Sequence, residues 1–180
     1  LQGQKQWESI SKLSIIDDGM AASAIDGKIH TFGSTTTARY TEHKIYDPVS
    51  DTWIIGTTIG ASIVNGNAIT VGSDIYIISG SSNVFRKYNA SSNAFTALAT
   101  FPVSTPTGTT LVHWDGFIYA VGVNATTAMY RYAISTNTWT SMTAMPFGRF
   151  FMPAVAHNGY IYTFSGRTGS TYHNYVSRYN

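Results

Sequence analysis

Apolar residues in this chain gather in short runs of four or five, each entered by a polar or turn pair and closed by glycine. The same run returns four times, as DGKIHTFG, SDIYIISG, DGFIYAVG and NGYIYTFSG, anchored on Ile29, Ile75, Ile118 and Ile161. A turn, an aromatic and β-branched run and then glycine is the signature of a buried strand between tight turns. A second marker keeps step with the first. Trp7, Trp53, Phe95 and Trp139 precede those isoleucines by 22, 22, 23 and 22 residues, and each is followed six residues on by Leu13, Ile59, Phe101 or Met145. A third marker is the tyrosine seven residues before the aromatic, Tyr46, Tyr88 and Tyr132, separated from it by Asp, Asn, Ser, Pro and Thr, the residues of hairpin turns.

From each isoleucine to the next aromatic the steps are 24, 20 and 21 residues. Length varies freely in surface loops and not inside paired strands, so the segments after the glycines, 34–42, 81–83, 123–127 and 167–174, are where the units differ and where display is easiest. Each unit therefore reads as four antiparallel strands: an inner strand, the isoleucine strand, the tyrosine strand and the tryptophan strand. Repeated radially, these predict an all-β propeller with repeats at about 14–57, 60–99, 105–143 and 148–180. Tyr179 stands in the tyrosine position and Trp7 in the tryptophan position, eight residues apart if the ends were joined. The expectation is a four-bladed ring closed by residues 4–11 as the outer strand of the last blade. A cut from a larger array and a ring shared by two chains are the alternatives.

The glycine after each isoleucine strand, the later YDPVSDTW and the segment Met145-Pro146-Phe147-Gly148-Arg149 resemble kelch repeats over nearly the whole chain. The resemblance implies a kelch-type β-propeller, in a family that includes actin-binding proteins, ubiquitin-ligase adaptors and galactose-oxidase-like enzymes. Because Trp7, Trp53, Trp139 and the marker tyrosines recur in register, they are expected to pack between blades.

Composition narrows the class. Of 180 residues, 43% are hydrophobic and 14% aromatic, enough for a sizeable core, and Ser, Thr, Asn, Gly and Tyr outweigh helix formers, so almost no helix is expected. Net charge is +2 without a Lys/Arg run, which offers no footprint for nucleic acid. There is no long apolar stretch for membrane insertion and no leader at Leu1, and the chain reads as a mature or excised piece. With no cysteine, a copper–tyrosyl oxidase of the galactose-oxidase kind is excluded, since it needs a cysteine cross-linked to its tyrosine. No His pair has metal-ligand spacing, so no metal or cofactor is expected. Asn89 (NAS) and Asn124 (NAT) are candidate glycosylation sites.

Candidate chemistry lies in the unrepeated positions. Aligning inner strands puts Asp17, Ile63, Pro106 and Arg149 in one place, so in a closed ring Asp17 and Arg149 are expected to face each other at the channel mouth. The two longest variable loops bring Arg39, Tyr40, Glu42 and His43 on blade one, and Arg167, Tyr172 and His173 on blade four, into one expected patch with Arg149. Aromatic and Arg residues together are the composition of recognition hot spots. The reading favours a non-catalytic binding, adhesion or assembly module whose partner is a protein or glycan, in an extracellular or cell-surface setting, with self-association or attachment to further domains compatible. The alternative is a non-redox sugar-acid epimerase or lyase with His113 or His157 as base and Arg149 holding a carboxylate.

Overall fold

The computed structural model describes residues 7–13 and 16–180, and in it the four repeats become four consecutive antiparallel sheets. Sheet one holds β1 (Ala21–Ile25), β2 (Lys28–Phe32), β3 (His43–Asp47) and β4 (Thr52–Ile55) in that order. Sheet two holds β5 (Asn67–Val71), β6 (Asp74–Ile78), β7 (Phe85–Asn89) and β8 (Ala94–Ala97), and sheet three β9 (Thr110–Trp114), β10 (Phe117–Val121), β11 (Tyr130–Ala133) and β12 (Thr138–Ser141). Sheet four has three strands, β13 (Ala154–His157), β14 (Tyr160–Phe164) and β17 (Val176–Tyr179), with a small hairpin of β15 (Arg167–Thr168) and β16 (Thr171–Tyr172) inserted after β14. Helix among the described residues is confined to two 3-10 turns, Thr37–Arg39 and Val123–Ala125.

The sequence markers are the rungs of these sheets. Ile29 lies opposite Tyr46 and Tyr46 opposite Trp53; Ile75, Tyr88 and Phe95 repeat the row, as do Ile118, Tyr132 and Trp139. Within each row the tyrosine ring sits about 5 Å from its outer neighbour, at 5.0, 4.9 and 5.1 Å. Hairpin chemistry holds the rows in register. The inner hairpins turn on Asp26-Gly27, Asp115-Gly116 and Asn158-Gly159, all with positive φ, as a two-residue turn of this hand requires. In the outer hairpins Asp51, Asn93 and Asn137 adopt positive φ and accept a hydrogen bond from the hydroxyls of Tyr46, Tyr88 and Tyr132 at 2.6, 3.0 and 2.8 Å.

Because side chains alternate across a strand, each sheet has two faces, and the core lies in the seams between successive sheets. The rear of sheet one (Phe32) meets the front of sheet two (Ile75, Ile77, Tyr88). The rear of sheet two (Tyr76, Ile78, Phe85) meets the front of sheet three (Ile118, Ala120, Tyr132), and Tyr119 and Val121 behind it meet Ile161 and Tyr179 of sheet four. The inner strands stack in order, β1 on β5, β5 on β9 and β9 on β13.

The result is an all-β, propeller-like array, and the expected closure into a four-bladed ring is not seen among the described residues. Among the described residues no comparable stacking carries β13 back onto β1. The outer strand expected from residues 4–11 falls partly outside the described residues; its described part, 7–11, lies in no strand, and Trp7 is fully exposed rather than packed between blades. Its neighbour Ser11 is nevertheless anchored. Ser11 N–H donates to Asp51 Oδ1 at 2.9 Å, and Trp53 Nε1–H donates to the Ser11 carbonyl at 3.0 Å. Ala99, which follows the outer strand of sheet two, makes the same two bonds to Asn137 and Trp139 of sheet three, at 2.8 and 3.2 Å. Ser11 thus occupies, on the front of sheet one, the place that the end of a preceding blade's outer strand occupies elsewhere.

Candidate binding surface

The segment preceding each inner strand sits at the same end of the array as the variable loops, and in sheet four it reads Phe147-Gly148-Arg149-Phe150-Phe151 where the other repeats carry smaller residues. Phe150 bridges to Arg167, exchanging backbone hydrogen bonds at 3.0 and 3.1 Å, so the β15–β16 hairpin is tied to this aromatic segment. The Arg167 guanidinium lies 5.0 Å from the Phe150 ring centre and 5.2 Å from that of Phe151. On the other side of the hairpin, Phe147 stacks on Tyr175 at 4.2 Å, and Tyr175 stacks on His173 at 5.0 Å with the planes 12° apart. Thr168 Oγ1 donates to the Gly148 carbonyl at 2.7 Å and stands 3.2 Å from His173 Nε2. Phe151, Tyr175 and Phe147 remain partly exposed and Tyr172 is 81% exposed, leaving an open aromatic surface flanked by two shallow depressions.

Arg149 lies beneath this surface, not at an open mouth. It is 0% exposed and donates to the Tyr175 carbonyl at 2.8 Å, to Thr163 Oγ1 at 2.8 Å and to Ser177 Oγ at 3.1 Å. Among the described residues no carboxylate pairs with it, and burial lowers its pKa from the ordinary guanidinium value, opposed by Tyr175. Its work here is positional: three donors in a fixed fork hold the segment carrying Tyr175 against β14 and β17.

Asp17 is likewise engaged inside its own blade, so it does not face Arg149. Its carboxylate accepts from Ser34 Oγ and pairs with Lys44 Nζ at 3.3 Å, and Lys44 continues to Glu42 at 2.8 Å, with Arg39 4.0 Å from Glu42. Burial pushes the Asp17 carboxyl up, but bonds from Ser34, Lys44 and the Asp18 N–H together hold it below the usual range. Arg39 also donates to the Ile16 carbonyl at 3.1 Å, and the half-buried Tyr40 accepts the Ile63 N–H through its own carbonyl at 2.8 Å. This chain of charges fastens the blade-one loop to its sheet.

His43 departs further from expectation, since it is fully buried in the seam between sheets one and two, with Nε2 2.8 Å from His30 Nδ1 and its ring among Phe32, Tyr88 and Phe95. No hydrogen bond, ion pair or ring contact among the described residues joins the loop of blade one to that of blade four. The single expected patch is therefore two separate features, a fastened charged loop and an exposed aromatic one.

The residues of the alternative enzyme reading do not converge. His113 pairs with Ile118 next to the Asp115-Gly116 hairpin, and His157 pairs with Tyr160 at the Asn158-Gly159 hairpin, whereas Arg149 precedes β13 at its opposite end. Asn124 is exposed, while the Asn89 amide nitrogen donates to Asp74 at 2.8 Å within its hairpin. Phe147, Phe150, Phe151 and Tyr175 were not singled out from the sequence; the signal was the aromatic cluster around Arg149 at positions where the other repeats have Ala61, Ser104, Val64, Thr107, Asn65 and Gly108.

No family model matches this chain, and no curated protein does. Among solved structures it is similar to one titled "Structure of YjhT", with a TM-score of 0.76 at 11% identity, covering 92% of this chain and 64% of that one. That likeness is one of fold. The chain spans less than two thirds of that structure's length.

Proposed function

We propose that the chain is a kelch-type propeller module that binds a protein or glycan, without catalysis, through the aromatic surface of sheet four, in an extracellular or cell-surface setting. The observation that carries this reading is the backbone of Phe151. Two residues after Asp17, Ile63, Pro106 and Arg149, the chain adopts positive φ in every repeat, with Gly19 at 62°, Asn65 at 48°, Gly108 at 69° and Phe151 at 53°. Glycine and asparagine suit that conformation; a bulky phenylalanine is an outlier that costs on the order of 1–2 kcal/mol. The ring is 51% exposed, so burial returns little of that cost. Strain kept for an exposed aromatic ring is a feature of recognition sites.

The chemistry agrees with that role. The stacked Phe147, Tyr175 and His173 and the Arg167 guanidinium over two phenylalanines offer flat apolar faces beside hydrogen-bond donors, which suit the apolar face of a sugar or an aromatic or proline side chain. Glycan and protein arrays probed with the wild type and with Phe151→Ala, Arg167→Ala and Tyr172→Ala test the proposal. Loss of about tenfold or more in signal is expected for each, with Arg39→Ala and Tyr40→Ala on the fastened loop as controls. Binding unchanged in all three blade-four variants sinks it.

A further inference from the structure

Charge is divided unevenly along the chain. All nine Asp and Glu lie within residues 1–115 beside seven Lys and Arg, a net charge of −2, whereas residues 116–180 hold four arginines and no carboxylate, a net +4. The cations of the two parts are also engaged differently. Lys28, Arg39, Lys44 and Lys87 each lie within 4.0 Å of an Asp or Glu oxygen. Among the described residues Arg131, Arg149, Arg167 and Arg178 have no such partner, and residues 1–6, 14 and 15 contain no Asp or Glu to supply one. Each of the four lies instead over an aromatic ring: Phe117 at 4.4 Å, Tyr175 at 5.9 Å, Phe150 at 5.0 Å and Tyr160 at 4.7 Å.

Of these arginines, Arg167 is the one that belongs to the aromatic surface and has donors to spare. Arg149 is buried beneath it and satisfied by Tyr175, Thr163 and Ser177. Arg167 Nη1 donates to the Gly169 carbonyl at 3.1 Å, and its other guanidinium donors have no acceptor among the described residues. The rings of Phe150 and Phe151 displace water from the guanidinium, and the bond to Gly169 holds it. A planar fork of donors fixed and partly desolvated in this way is matched to a carboxylate.

The two depressions beside the β15–β16 hairpin differ in chemistry. One contains Arg167, with Phe151, Gly166 and Tyr172; the other is lined by Phe147, Thr171 and Tyr175 without any Lys, Arg, Asp or Glu, and His173 lines both. A polysaccharide repeats the same few groups along its length, whereas successive side chains of a peptide differ, so adjoining subsites of unlike chemistry suit a peptide. Resting on the reading of this surface as a binding site, we infer that its ligand is an acidic segment of another protein: an Asp or Glu carboxylate meets Arg167 beside Phe151 and Tyr172, and an apolar side chain near it in sequence meets Phe147 and Tyr175 on the other side of His173. The uncompensated positive charge of residues 116–180 attracts such a segment and disfavours a basic one.

Fluorescence anisotropy with short labelled Gly/Ser peptides tests the inference, each peptide carrying Phe and, at varied spacing from it, Glu, Gln or Lys. At the best spacing the Glu peptide is expected to bind about tenfold or more tighter than the Gln peptide, as loss of a charge-assisted hydrogen bond implies, with the Lys peptide weaker still. Arg167→Gln is expected to abolish the preference for Glu over Gln, and Arg167→Glu to transfer it to Lys. Arg86→Gln, which removes one positive charge from the other part of the molecule, is expected to leave the preference unchanged; circular dichroism checks that all variants fold. Glu and Gln peptides bound alike, no peptide bound at all, or a Glu preference that Arg167→Gln leaves intact overturns the inference. The two readings fail separately. Charge-blind binding, or binding of a neutral glycan in place of the peptides, that is lost on Phe151→Ala ends the acidic ligand and keeps the surface, whereas binding unaffected by both Phe151→Ala and Arg167→Gln ends both.

Discussion

His30 Nδ1 lies 2.8 Å from His43 Nε2, so two buried imidazoles share one hydrogen bond in the seam between sheets one and two. One ring donates and the other accepts, an arrangement satisfied with both rings neutral. Burial, and then the neighbouring His30, push His43 down to about 4, against the Thr57 backbone; burial and Lys28 lower His30, partly opposed by Asp26.

The seam is therefore sensitive to acid. A histidine whose folded pKa is depressed binds its proton more readily unfolded, so its contribution is complete above about pH 6.5 and falls as pH drops toward 4. For His43 that interval corresponds to a loss of roughly 3 kcal/mol. Urea unfolding at pH 7 and pH 4.5 is expected to show this loss, and His43→Phe, which copies Phe85 of sheet two, is expected to shrink it. Equal wild-type stability at both pH values would refute the account.

The aromatic rows differ in how well they are covered. Trp139 is enclosed by the rings of Phe85, Phe101 and Tyr132, whereas among the described residues Trp53 has one aromatic neighbour, Tyr46, and a hydrogen bond from its Nε1–H to the Ser11 carbonyl. Trp139→Ala is expected to cost about 3–5 kcal/mol and Trp53→Ala roughly half as much in the monomer, measured by chemical denaturation. Equal costs would mean that Trp53 is packed as closely as Trp139.

Legibility from sequence followed repetition. The rows Ile29–Tyr46–Trp53, Ile75–Tyr88–Phe95 and Ile118–Tyr132–Trp139 were readable because each copy supported the others, and paired strands forbid insertions, so spacing recorded the register. Residues occurring once were harder to place. His43 looked like a loop residue because His and Glu42 stand beside a variable segment, yet it fills the seam position of Phe85 and Met129, and only the strand register shows that. Arg149 and Asp17 share a register position but each is satisfied within its own sheet, by Tyr175, Thr163 and Ser177 in one case and by Lys44 and Ser34 in the other. Alignment gives the position of a side chain and not its partners.

Arg149 anchors the loop of sheet four, and lysine cannot replace it. A single ammonium cannot span acceptors on Tyr175, Thr163 and Ser177 at once, and the ammonium is more strongly hydrated than a guanidinium, so it is costlier to bury. Arg149→Lys is expected to destabilise the protein by about 1–3 kcal/mol and to raise amide exchange selectively in residues 171–177, read by hydrogen–deuterium exchange. Exchange that rises uniformly would assign Arg149 to the core at large and not to the loop.

Phe151 allows strain and recognition to be separated in one residue. Its backbone holds φ at 53°, where the corresponding positions of the other repeats carry Gly19, Asn65 and Gly108. Phe151→Gly removes the clash of a Cβ in the left-handed region, worth on the order of 1 kcal/mol or more, but adds unfolded-state freedom worth roughly 0.5–1 kcal/mol. The half-exposed ring contributes little to offset either, apart from its contacts with Phe150 and Arg167. Phe151→Asn keeps a residue that tolerates positive φ without glycine's entropy, so it is expected to raise stability by about 0.5–1 kcal/mol, with glycine close to neutral. Both are expected to lose ligand binding to the same degree as Phe151→Ala, whereas Ala, which retains the Cβ, gains no stability. A variant that binds as well as the wild type while being more stable would show that the strained ring serves neither recognition nor the fold.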